Sequence, residues 1–257
     1  MAFSKSLFRN GNQMKKALLI FFVFISNFSM AQDADAVSAP RLPSGTPDFN
    51  GLWSGGGPIG DIAGGLMPGE AMVLTEEYAG IKARRLANED PEANCLPTGV
   101  PRIAPYPWRI VQAPAYGPAT HLYFLFEGNV HSFRQIFMDG REHPSAEELD
   151  PSWYGHSIGW WEGDTLVVDS VGFNDLTWFD FLGNPHSTEL HTIERYTRLD
   201  NDTLENITTI IDPLAYRQPF TIRYEARLQP ADWDLMEYVC NENNQDVEHI
   251  EGPARLF

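Results

Sequence analysis

Chemistry-bearing side chains concentrate between Asp150 and Arg195, in DPSWYGHSIGWWEGDTLVVDSVGFNDLTWFDFLGNPHSTELHTIER. A β-hairpin is expected at its start. With Glu162-Gly163 as a two-residue loop, residues whose numbers sum to 325 face each other. His156 then faces Asp169, and a carboxylate beside an imidazole orients it and raises its pKa. The alternative is a structural bond capping the hairpin. Tyr154 lies two residues before His156, so on a regular strand both share a face and can act as an acid–base pair. His143, in DGREHP, is a further acid–base candidate.

His186, Glu189 and His191 have spacings that could hold a divalent metal, with Glu194 close behind. On a regular strand His191 and Glu194 fall on opposite faces, and nothing matches H-E-x-x-H. The reading is therefore no cofactor, with that metal as the alternative. Arg134, Arg195 and Arg102 are candidates to hold a substrate carboxylate, since arginine clamps carboxylates in a bidentate way. Trp178 is a candidate to stack on a flat or sugar-like ligand. No G-x-S-x-G elbow, P-loop, G-x-G-x-x-G after a strand, or C-x-x-C is present.

These residues need a rigid frame, and the pattern from Arg109 onward supplies one. Strands are expected at Arg109–Ala113, His121–Glu127, Val130–Phe137, His156–Trp161, Thr165–Val171, Leu190–Leu199, Thr203–Asp212, Pro219–Gln229 and Trp233–Val239. Turn residues separate them, among them Gly128-Asn129 and Asp200-Asn201-Asp202. Phe49–Trp53 reads as an earlier short strand. The fold class is all-β: an antiparallel β-barrel-like meander with one external helix and long loops. Polar residues on both faces of Leu190–Leu199 suit a barrel with a ligand cavity. The helix is expected at Thr75–Asn88, with Tyr78, Ile81 and Leu86 facing inward.

Lys15-Lys16, an apolar run over Ala17–Ile25 and Ser29-Met30-Ala31 read as a signal peptide over residues 1–31, the run being too short to span a bilayer. A flexible lead-in (32–50), one domain (51–246) and a tail (247–257) follow. Beyond Ala31 there are 14 basic and 35 acidic residues, a net charge near −21, which argues against nucleic acid or anionic membrane as partner. The expected location is the periplasm or the exterior. There, Cys95 and Cys240, the only cysteines, are expected to pair.

CLPTGVPR (95–102), DGREHP (139–144), GHSIGWWEGDTLVVDSVGFND (155–175), then TW, NPHS and Glu194-Arg195, together resemble a widespread, largely uncharacterised family of exported bacterial β-rich proteins. The resemblance runs from about Leu52 to Asp246. It implies a relation to exported enzymes that dehydrate the uronic-acid ends of oligosaccharides, and assigns no catalytic residue. The expected function is thus a lyase or dehydratase acting by acid–base elimination on a hydroxylated carboxylate, with a small molecule or oligosaccharide as partner. Arg134 or Arg195 would neutralise the carboxylate, His156 would take the proton, and Tyr154 or His186 would protonate the leaving oxygen. Two alternatives stand beside it: a non-catalytic, lipocalin-like binding protein and a metal-assisted hydrolase.

Overall fold

The computed structural model describes residues 39–254 apart from 103–105, 115, 129, 243, 246 and 248. The expected signal peptide lies outside the described residues. Nine strands close a barrel in chain order: β1 (Gly51–Gly55), β2 (Trp108–Ala113), β3 (His121–Phe126), β4 (Ser132–Phe137), β5 (His156–Glu162), β6 (Thr165–Val171), β7 (His191–Arg198), β8 (Thr203–Ile211) and β9 (Phe220–Leu228). β1 closes the ring by pairing with β9.

Alternation along the strands decides what fills the barrel. Leu122 and Phe124 of β3, Leu166 and Val168 of β6, and Leu204 of β8 point inward. They pack with Trp53, Trp108 and Tyr196 into one apolar cluster. Burying such side chains stabilises the fold by about 1.5–3 kcal/mol each. The two indoles keep their polar edges satisfied: Trp53 donates to the Phe49 carbonyl and Trp108 to that of Gly55. A second cluster, including Phe173, Phe179, Tyr216 and Phe220, packs residues of the long loops against the strands.

The meander has one break. β4 and β5 run parallel, and they pair only at Ile136↔Ser157 and Phe137↔Ile158. A parallel neighbour requires a long crossover, and residues 138–155 supply it. This pairing corrects the fully antiparallel expectation, and it creates the feature on which the site depends. Ser132–Gln135 have no β5 partner, so the wall splits there.

Three further differences have physical causes. Trp233–Val239 is not a strand, because β1–β9 pairing has already closed the barrel and left no edge to join. Its backbone is held singly instead, Met236 N–H by Glu127 and Tyr238 N–H by His131. The helix α1 spans only Glu76–Arg84 and fully buries none of its residues. The backbone of residues 85–87 bonds to that of 252–254 instead, which leaves Leu86 exposed rather than inward. The hairpin turn is Gly163-Asp164, one residue later than expected, with Gly163 at φ +62. The Cys95–Cys240 disulfide is formed and links residues 145 apart in sequence.

Candidate functional site

Where β4 and β5 part, a cleft of about 620 Å³ opens in the barrel wall. One side carries Ser132, Phe133, Gln135 and Phe137 of β4. The other carries Trp153, Tyr154 and His156, with Glu148 and Asp150 from the crossover and Pro97 and His131 at the margin. Gly155 sets the angle at which the chain enters β5. Its φ is +65, and a side chain there would meet the Val171 carbonyl at 2.6 Å. Only glycine adopts that conformation so close to another backbone without strain.

His156 is the cleft residue best arranged for proton transfer. The register places it opposite Val171, and Asp169 opposite Ile158, so the expected direct His156–Asp169 pair is not formed. The one-residue change in the turn slides the partners by two positions and keeps both side chains on the same outward face. His143 from the crossover fills the gap. Its Nδ1 lies 2.8 Å from His156 Nδ1, and its Nε2 lies 3.2 Å from Asp169 Oδ1. His191 Nε2 reaches the same carboxylate oxygen at 2.7 Å.

The protons in this chain follow from the chemistry. An ionised carboxylate only accepts, so the facing nitrogens of His143 and His191 each carry a hydrogen. With one proton on the His143 ring, its Nδ1 is a lone pair, and His156 donates its Nδ1–H to it. This leaves His156 Nε2 as a lone pair, with no hydrogen-bond partner among the described residues. Burial alone would raise the Asp169 pKa, but hydrogen bonds from His191 and His143 outweigh it and hold the carboxyl below its usual value. Burial lowers the His156 pKa, and the Arg141 charge lowers it further. His156 is therefore a neutral base, fixed in one tautomer by an Asp–His relay.

Tyr154 also lines the cleft, although strand alternation does not place it there, since Gly155 interrupts the strand. Its hydroxyl is 2.7 Å from Ser132 Oγ, and burial pushes its pKa up to about 12. It stays protonated and can donate.

The arginines expected to clamp a substrate are otherwise engaged. Arg134 lies at the floor of the cleft but points into the barrel interior. It makes a bidentate pair with Glu194 and bonds to Ser157 and Ser170. Tyr196 donates to the same glutamate at 2.7 Å. Glu194 is thus a structural counter-ion rather than a cleft residue. Arg195 lies on the outer face of β7, paired with Glu162. Arg102 is buried between Asp90 and Glu92 and stacks on Phe181. Arg141 lies close enough to act on His156; its guanidinium sits 3.7 Å above the Phe137 ring and is half-exposed in a pair with Asp139.

His186 and Trp178 belong to the packed loops, not the cleft. His186 is buried against Phe179 and bonded to Thr177 and the Ser187 carbonyl. Trp178 is buried beneath Arg85. His186, Glu189 and His191 do not form a set. Among the described residues, no group of three or more His, Cys, Asp or Glu is arranged to hold a metal ion.

Two features escaped sequence reasoning. His143 was a candidate on its own, but its place in the relay was not visible, since only the crossover brings it between His156 and Asp169. The cleft itself comes from the parallel pairing, which alternation cannot signal. No protein-family model, curated protein or solved structure matches the chain.

Proposed function

We propose that the protein is a carbon–oxygen lyase, removing water or an alcohol from a hydroxylated carboxylate such as a uronic acid by acid–base catalysis at His156. The single observation behind this reading is the Asp169–His143–His156 relay, which leaves one unprotonated nitrogen on a ring that lines an open cleft.

In this mechanism Arg141 holds the substrate carboxylate. Its surface pair with Asp139 is weak enough to exchange for a new partner. Neutralising the carboxylate acidifies the adjacent C–H, and His156 Nε2 takes that proton. The released electron pair forms the carbon–carbon double bond and expels the oxygen substituent. Tyr154 donates its proton to that oxygen and is reprotonated from His156 through solvent. The relay stabilises the imidazolium while it exists.

The same reading places the protein in the periplasm or outside the cell. The N-terminal pattern and the disulfide support this, since disulfides persist in oxidising compartments. The packed interior, crossed by Trp53, Trp108, Phe124 and the Arg134–Glu194 pair, favours chemistry at the wall over ligand storage along the axis.

The test is incubation with uronic-acid oligosaccharides and free hydroxy acids, following ultraviolet absorbance of the unsaturated carboxylate. Product from the wild type and none from His156→Ala is expected. Absence of product across the panel, or equal product from both proteins, would overturn the assignment.

A further inference from the structure

The outward face of β3 and β4 carries a run of aromatic rings that the acid–base chemistry does not use. From Phe133, which is 58 % exposed, the rings continue through Tyr123 and His121 to Phe137 and end on His156. Successive centroids are 6.4, 5.8, 5.5 and 5.1 Å apart. A sheet face in water normally carries polar side chains, so a ring row ending on the candidate base calls for a ligand. The rings stand on paired strands, with Tyr123 opposite Gln135 and His121 opposite Phe137. They are therefore fixed before any ligand arrives.

We infer that this row is a stacking platform for an oligosaccharide chain, whose reacting unit lies at His156 and whose further units lie along β4 toward Phe133. The inference rests on the proposed activity for which unit reacts, but the platform itself stands on the geometry of the rings. Phe133 and Phe137 are four residues apart on one strand, hence about 13 Å apart, the length of roughly two to three linked pyranose units. Between them on the same face lies Gln135, an amide able both to donate and to accept. Glu148 and Asp150 face the same cleft as hydroxyl acceptors.

Rings alternating with hydrogen-bonding groups match the surface of a sugar chain, which offers apolar C–H faces and polar hydroxyl edges in turn. An acyl chain or a hydrophobic protein segment would require an unbroken apolar surface, and Gln135, between Phe133 and Phe137, interrupts this one. Arg141 lies at the His156 end, while Arg134 at the floor of the cleft is committed to Glu194. One carboxylate at the reacting unit is therefore suited, and the units beyond it are held by stacking rather than by charge.

The test uses His156→Asn, which allows binding without turnover, and calorimetric titration with mono-, di- and tetrasaccharides of glucuronate and of glucose. Affinity is expected to rise by about tenfold or more from mono- to tetrasaccharide, consistent with one or two added stacking contacts. Phe133→Ala should remove most of that rise, and Phe133→Trp should keep it. Phe133 is exposed, so neither change threatens folding. Affinity independent of length, absence of binding by every oligosaccharide, or a length dependence untouched by Phe133→Ala would overturn the platform. The two proposals fail separately. Length-dependent binding without product from the wild type removes the lyase and keeps the platform, whereas turnover of a monomer with no length dependence does the reverse.

Discussion

Replacing Glu194 with glutamine keeps the shape of the barrel interior and removes one charge. Arg134 and Glu194 are 3 % and 1 % exposed, so neither can turn to water when its partner is lost. In the wild type the guanidinium is neutralised by two parallel hydrogen bonds, with Ser157 and Ser170 occupying further donors. Removing one partner from a buried ion pair leaves an uncompensated charge and costs about 3–5 kcal/mol. Glu194→Gln should fall near 3, since the amide oxygen still accepts one bond, and Glu194→Ala nearer 5. For a domain of this size, about 3 kcal/mol lowers the melting temperature by roughly 6–12 °C. The assay is urea unfolding followed by tryptophan fluorescence, with the disulfide intact. Arg134→Met/Glu194→Leu should recover most of the loss, because the cost lies in the unpaired charge rather than in the missing bond. A Glu194→Gln protein within about 1 kcal/mol of wild type would refute the reasoning, as would a double variant as unstable as the sum of the singles.

Four further outcomes are expected. Asp169→Asn leaves the cleft in place but weakens the control of the His143 tautomer, so kcat/KM for elimination should fall by about 10²–10⁴ with a smaller change in KM. The acid limb of kcat/KM should lie below pH 6.5, because burial and the Arg141 charge lower the His156 pKa; Arg141→Gln should move that limb upward. His186 is shifted the same way by burial, so the unfolded chain binds these protons first. The stability from both rings is complete above pH 6.5 and is lost as pH falls below it, a trend that pH-dependent urea midpoints will report. Reducing the Cys95–Cys240 bond, which spans 145 residues, should lower stability by up to about 5 kcal/mol on chain-entropy grounds, read from urea curves with and without reductant.

The barrel was legible because alternation along a strand is a local property. Phe220, Ile222 and Ala226 turn inward as their spacing predicts. Polar residues on the inner face of β7 were also legible, but not their purpose: Glu194 neutralises Arg134 rather than lining a cavity. His156 and Tyr154 were identified for chemistry, and the fold brings both to one cleft, while His186 and Trp178 are held in loop packing. The difference is topological. Which loop residues meet a strand depends on how the chain crosses from β4 to β5, and the sequence of the crossover carries no periodic signal of a parallel return. A single residue at the hairpin turn moved the expected partner of His156 by two positions, and His143 took its place.

In the proposed chemistry His156, on the cleft wall, keeps an unprotonated Nε2 because Asp169 fixes His143 and His143 fixes His156. Nitrogen-15 NMR of histidine-labelled protein at neutral pH reads the four ring nitrogens of His143 and His156 directly. The relay requires a proton on Nε2 of His143 and on Nδ1 of His156, with Nε2 of His156 bare. A proton found on Nε2 of His156, with its Nδ1 bare, would contradict it.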